Sequence, residues 1–191
     1  MPREAEWFVR SDAQLERSVL FDRLPKHSRG AEVGVWTGEF SAQLLAMVEP
    51  RELHLVDPWR YRTEDEFKGA SYAGGMARDQ SDMDQLHELV LTRFAGDQRV
   101  HVHRLDSVSA AGEFAPGSLD WVYLDGDHRY ETVLADLHAW RPRIAPGGIC
   151  SGDDYGETGW WGNGVTEAVD RFASELDVAL TILGHQFVMQ L

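Results

Sequence analysis

Residues 119–155 read LDWVYLDGDHRYETVLADLHAWRPRIAPGGICSGDDY. Leu119–Leu124 is an apolar run that ends on Asp125. A helix-like segment starts near Arg129, Pro146-Gly147-Gly148 turns, and a second apolar run ends on Asp153-Asp154. Two strands joined by one helix form a βαβ unit, whose crossover makes the strands parallel. Both acidic ends then emerge at the same sheet edge, and neighbouring strands lie about 4.8 Å apart. Asp125, Asp153 and Asp154 are therefore a candidate site for one cation bridging two strand ends. An all-oxygen set suits Mg²⁺, Mn²⁺ or Ca²⁺ rather than zinc. The alternative is that Asp153-Asp154 lie in a solvated loop and cap the next segment.

Outward from this unit, strand and helix patterns alternate. A capping box at Ser11 and Gln14 opens a helix that runs to about Leu24 before Pro25. Strands are expected at 31–35, 52–56 and 99–105, with helices after Gly38 and from about Ser81. A last helix covers 165–176, and two apolar runs, 179–183 and 187–191, flank a hairpin turn at Gly184-His185-Gln186. The fold class is α/β: a Rossmann-like doubly wound sheet of seven strands, mostly parallel, with an antiparallel C-terminal hairpin strand. One domain covers 1–191, with 1–29 as an N-terminal helical extension. Residues 59–81 are Gly-rich, charged and aromatic without a period, which marks a lid loop carrying Tyr61, Phe67 and Tyr72.

Net charge is −14 over 191 residues. Such a surface repels phosphate backbones, so no nucleic-acid partner is expected. No apolar stretch is long enough for a membrane span. The single cysteine, Cys150, excludes an intrachain disulfide. A cytoplasmic location is the expectation.

Ligands in such sheets bind beyond the carboxyl ends of the strands. The first of these loops runs from Gly30 through Gly34, Trp36 and Gly38 to Ser41. It lacks the second glycine of a dinucleotide fingerprint, because Trp36 stands where backbone would have to approach a pyrophosphate. A ligand without phosphates fits better. Asp57, ending the second strand, is placed to accept from a ribose diol; before Pro58 it also suits a simple turn. Asp106-Ser107 is placed for an adenine edge, or is an ordinary loop pair.

These residues together resemble the class I S-adenosylmethionine-dependent methyltransferases. Glu32, Gly34 and Gly38 are similar to that family's first motif, Asp57 to its ribose acid, Asp106-Ser107 to its adenine position, and Ala145–Gly148 to its turn before the fifth strand. The resemblance implies S-adenosyl-L-methionine as cofactor, bound by Glu32, Gly34, Trp36, Gly38, Ser41, Asp57, Asp106, Ser107 and Asp125. The acidic set resembles the metal-dependent O-methyltransferase branch, closer to the macrocin-type sugar enzymes than to catechol O-methyltransferase. It implies Asp125, Asp153 and Asp154 as ligands of Mg²⁺ (or Mn²⁺ or Ca²⁺), and His128 as catalytic base. Left to its position alone, His128 is a first-turn helix residue. Asp127 is expected to cap that helix.

Tyr155, Trp160 and Trp161 are candidate substrate residues, the tryptophans either stacking on a ring or covering the core. The implied partner is a small hydroxylated acceptor such as a sugar, polyol or natural product, with a homo-oligomer completing the pocket. The competing readings are a metal-independent enzyme with a nitrogen or oxygen acceptor and His128 or Tyr155 as base, or a cofactor-binding module without catalysis.

Overall fold

The computed structural model describes residues 18–67, 69–73 and 75–191. Seven strands form one sheet: β1 (Arg29–Val33), β2 (Glu52–Val56), β3 (Val100–His103), β4 (Leu119–Leu124), β5 (Ile144–Gly152), β6 (Leu180–Leu183) and β7 (Gln186–Gln190). Their order is β3-β2-β1-β4-β5-β7-β6. The first five are parallel, and β7 pairs antiparallel with β5 and β6. Five helices are described in full: α1 (Glu39–Met47), α2 (Gln80–Arg93), α3 (Ser107–Glu113), α4 (Tyr130–Trp140) and α5 (Gly164–Leu176).

The pleat of β4 explains the layering. Successive side chains on a strand face opposite ways. Val122 and Leu124 join one buried cluster with Val133, Leu137 and Phe172, from α4 and α5. Trp121 and Tyr123 join the other with Leu44, Met83 and Leu86, from α1 and α2. Both faces are thus covered, as a parallel sheet requires. No helix of the described residues is long and apolar enough to cross a membrane.

Several local expectations change. β1 occupies 29–33 rather than 31–35, because Gly34 turns away with φ 88°. The capping box at Ser11 and Gln14 lies outside the described residues. The helix it would open ends at Phe21, short of Leu24. Pro146-Gly147-Gly148 does not interrupt β5. It forms a bulge, since Leu119 pairs with Ile144 while Trp121 pairs with Ile149. Segment 59–81 contains two 3₁₀ turns, Asp65–Phe67 and Ser71–Ala73. Helix α3 was not expected at all. It buries only Ala110 and Ala111, too little for an apolar period.

Three histidines share one face of the β2–β3 edge. His54 lies opposite His101 with rings stacked at 4.9 Å, and its Nδ1 is 3.0 Å from Nε2 of His103. Burial, then His103, His101 and Arg29, hold the His54 pKa down at about 4. His103 is lowered too, chiefly by burial. The unfolded chain therefore takes up protons from about pH 6.5 downward while the folded one resists them. Stability contributed above pH 6.5 is lost as pH falls toward 4. The thermal midpoint should drop across that window, and His54→Gln should flatten the drop. An identical slope in the variant would refute the assignment.

Candidate functional site

A cleft of about 500 Å³ opens at the carboxyl ends of the parallel strands, where β1 meets β4. The direction of chain progression reverses there, so the loops after β1 and β4 part and leave room for a ligand. The volume lies within the range of small-molecule sites.

One wall is the loop after β1, laced in place by Asp57. Oδ2 of Asp57 accepts from the backbone N–H groups of Val35 and Trp36, each at 3.0 Å, and Oδ1 accepts from Trp59 N–H at 2.7 Å. Burial pushes the Asp57 pKa up, and these three N–H groups draw it back. A carboxylate accepts about four hydrogen bonds, so Asp57 keeps capacity for a ligand hydroxyl. The wholly buried Trp59 indole donates to the carbonyl of Trp36 at 2.9 Å. Trp36 itself sits in the left-handed region at φ 54°. Glu32, at the end of β1, is 1% exposed and lines the cleft with Gly34 and Trp36. Gly38 and Ser41 do not line it: Gly38 is the N-cap of α1, and Ser41 is buried within that helix.

Asp106 and Ser107 reach the cleft from the N-terminus of α3. The Asp106 carboxylate accepts from Ser109 N–H at 3.0 Å, which lowers its pKa. Ser107 Oγ accepts from the Trp140 indole at 2.9 Å and hydrogen-bonds Asp136. Asp136 is a wall residue that the sequence reading did not single out. It is 4% exposed, and burial pushes its pKa up to about 7.

The strand ends after β4 and β5 supply the charged floor. Asp125 N–H donates to Val33 O at 2.7 Å, which fixes the loop between the two strands. Nε2 of His128 lies 2.5 Å from Asp154 Oδ2 and 3.7 Å from Asp125 Oδ1. Burial alone would lower the imidazole pKa. Asp125 and Asp154 outweigh it and raise the value to about 10. The histidine thus supplies the positive charge that two facing carboxylates need. One ligand atom from each of Asp125, His128 and Asp154 lies within 4.8 Å of the others. Within it the two carboxylates are donors of the kind a hard cation takes, alongside water and substrate oxygens, whereas an imidazole is not.

Asp153 is not gathered into this set. Its side chain accepts from Gln186 Nε2, and Gln186 Oε1 accepts from Tyr123 OH at 3.0 Å. Adjacent residues leaving a strand point to opposite sides, and Asp154 then turns into the left-handed region at φ 63°. Asp127 does not cap α4 either. It accepts from Arg129 N–H at 2.9 Å and pairs with the guanidinium, and Arg129 is the N-cap.

Aromatic rings cluster beside His128. Trp161 stacks on His128 with centroids 4.6 Å apart, Trp160 stands edge-on to Trp161, and Phe67 packs edge-on to Trp160. The guanidinium carbons of Arg62 and Arg129 lie 4.1 and 4.2 Å from the Phe67 ring centroid. Phe67 and Tyr72 line the cleft from segment 59–81. Tyr155 does not line it, since its hydroxyl donates to Asp170 of α5 at 2.8 Å.

Comparison with known proteins agrees with this architecture. A family model described as a methyltransferase domain matches residues 31–155, more than half of the chain. No curated protein matches. Among solved structures, one protein from Corynebacterium glutamicum superposes with a TM-score of 0.61 at 15% identity, covering 95% of this chain and 81% of its own. The O-methyltransferase NovP gives 0.59 at 19% identity, with coverages of 93% and 76%. MycE, a methyltransferase of the mycinamycin biosynthetic pathway solved with Mg and SAH, gives 0.57 at 16% identity, with coverages of 96% and 50%. The strand order with its reversed last pair, the loop held by Asp57 and the family match lead to one conclusion: the chain belongs to the methyltransferase-domain family and is an S-adenosylmethionine-dependent methyltransferase.

Proposed function

We propose that the protein transfers the methyl group of S-adenosyl-L-methionine to a hydroxyl oxygen of a small molecule, a sugar, polyol or natural-product acceptor, with the help of Mg²⁺ or a similar hard cation. The convergence of Asp125, His128 and Asp154 at the cleft floor carries this reading. NovP is an O-methyltransferase and MycE was solved with Mg, which is consistent with it.

Each part of the cleft has a task. Glu32, Gly34, Trp36 and Asp57 shape the cofactor's ribose and methionine side, and Asp106 with Ser107 meets the adenine. Asp125 and Asp154 would hold the cation, which when bound lowers the pKa of a hydroxyl and fixes its geometry. Asp153 would join them only by giving up Gln186. Once the carboxylates serve a cation, His128 no longer has to neutralise them. Its Nε2 then faces the acceptor as the group that takes the hydroxyl proton. Trp160, Trp161 and Phe67 offer ring faces to a sugar or aromatic acceptor. Holding donor and acceptor in line supplies much of the remaining acceleration.

The test is methyl transfer to a panel of hydroxylated metabolites, followed by mass spectrometry, with and without EDTA. Activity should vanish with EDTA and return with Mg²⁺. Metal binding separates the acids: Asp154→Ala should weaken Mg²⁺ by at least ~100-fold, more than loss of an outer-shell partner costs, and Asp153→Ala by much less. Calorimetry on the complex with S-adenosylhomocysteine reads both. Equal losses would return Asp153 to the ligand set, and activity indifferent to EDTA would favour the His128–Asp154 pair acting without metal.

A further inference from the structure

Beneath the loop from Asp125 to His128 lies a second, much smaller cavity of about 10 Å³, close to the room one water molecule requires. Its walls include His128, Asp136 and Asp153, with Val133, Val165 and Phe187 as apolar neighbours. Two polar atoms of these wall residues are buried without a hydrogen-bond partner: Nδ1 of His128 and Oδ1 of Asp136. Each has its other end engaged. His128 Nε2 meets Asp154, and Asp136 is hydrogen-bonded by Ser107, which the Trp140 indole also holds. Both residues line this cavity as well as the main cleft, and one water in the smaller cavity would answer both orphaned atoms, since buried polar atoms are nearly always paired directly or through water.

We propose that this cavity holds one water molecule that accepts from His128 Nδ1–H and donates to Asp136 Oδ1, which makes Asp136 the positioning residue for His128. The water's second hydrogen is directed to the Asp153 side of the same wall, giving the three bonds usual for buried water. The link defines the tautomer. Nδ1 keeps its hydrogen, so the lone pair available for chemistry is on Nε2, the nitrogen that faces Asp125, Asp154 and the acceptor. It also accounts for a carboxyl on the buried stripe of α4, where Val133, Leu137 and Trp140 are its neighbours. Ser107 and Trp140 hold that carboxyl rigid, and the water passes its orientation to the imidazole.

The functional half of this inference rests on His128 being the proton acceptor, and the tests keep the two apart. A crystal structure of the wild-type protein should show an ordered water within hydrogen-bonding distance of both atoms. A dry cavity, or Nδ1 bonded elsewhere, would overturn the link, and this result needs no variant to fold. In Asp136→Leu the water should be lost. Its kcat should fall by about 10- to 100-fold, as for other outer-shell partners, and by more than the Kd for S-adenosylhomocysteine rises, since Asp136 also lines the cleft beside Ser107. Asp136→Asn keeps an acceptor oxygen and should recover most of the rate. Equal loss in both variants together with weakened cofactor binding would reduce Asp136 to a structural role and refute the proposal. Wild-type kcat in His128→Ala, with the water seen in the wild-type crystal structure, would instead refute the proton-acceptor reading.

Discussion

Gly34→Ala is expected to leave no measurable affinity for S-adenosylhomocysteine and to destabilise the protein by more than ~3 kcal/mol, the scale of backbone strain combined with core overpacking. Gly34 has φ 88°, a region that side chains with a Cβ rarely adopt. A Cβ there would stand 1.9 Å from the Asp125 carbonyl oxygen, 2.4 Å from its carbon and 2.7 Å from Gly126 N. All three are backbone atoms, so no rotamer change relieves the clash. The contacted segment is the end of β4, which carries the floor of the cleft and is tied to β1 by the Asp125–Val33 hydrogen bond. Relief therefore means prising β1 from β4 at the binding site itself. Gly126→Ala is the control: a Cβ there meets only Val33 Cγ1, at 3.9 Å, and the fold should tolerate it. Thermal melting and calorimetry measure both effects. A Gly34→Ala protein with wild-type midpoint and affinity would show that the loop has room the geometry denies.

Asp57→Ala should cost about 3–5 kcal/mol of stability, comparable to breaking a buried charged network from one side, and weaken S-adenosylhomocysteine by at least ~100-fold, about 2.7 kcal/mol. Removing the carboxylate strands three N–H groups, those of Val35, Trp36 and Trp59. Each loses a charge-assisted bond, the strong class of hydrogen bond. The loop after β1 then loses the group that holds its two amides together with that of Trp59, so this wall of the cleft and the start of segment 59–81 loosen at once. Asp57→Asn supplies one carbonyl oxygen in place of two acceptors. It can serve the Val35 and Trp36 pair or the Trp59 amide, and should fall between wild type and alanine on both readouts. Denaturant midpoints and calorimetric Kd values in that order support the lacing role. Alanine with wild-type stability would remove it.

The alternation of strands and helices, the reversed hairpin and the placement of acids at strand ends were legible from hydrophobic period and turn residues, because those signals are local. Trp36 was also informative: its bulk argued against close approach of a pyrophosphate, and it lines the cleft with its backbone held by Asp57. Other features depend on which way a side chain leaves the backbone. Asp153 and Asp154 are adjacent and identical in kind, yet one meets Gln186 and the other His128. Neither the pleat at Gly152 nor the left-handed turn at Asp154 has a residue signature. Ser41 and Tyr155 belong to motifs near the cleft but are taken up by α1 and by Asp170. Asp136 did leave a trace, an acid three residues after Val133 and one before Leu137 on an otherwise apolar helix face.

The meeting of β1 and β4 has a kinetic consequence. These strands are joined by pairings such as Arg29 N–H to the Asp120 carboxylate at 2.6 Å, between residues 91 positions apart in the chain. Closing so long a loop is entropically slow compared with pairing β1 to the nearer β2. The cleft is therefore expected to assemble late, after the halves of the sheet have formed. A cofactor that binds only the assembled cleft has nothing to grip in the early chain, so it acts as a brake on unfolding and not as a template for folding. Cells that hold S-adenosylmethionine above its Kd would lengthen the lifetime of the finished enzyme while leaving the time needed to make it unchanged.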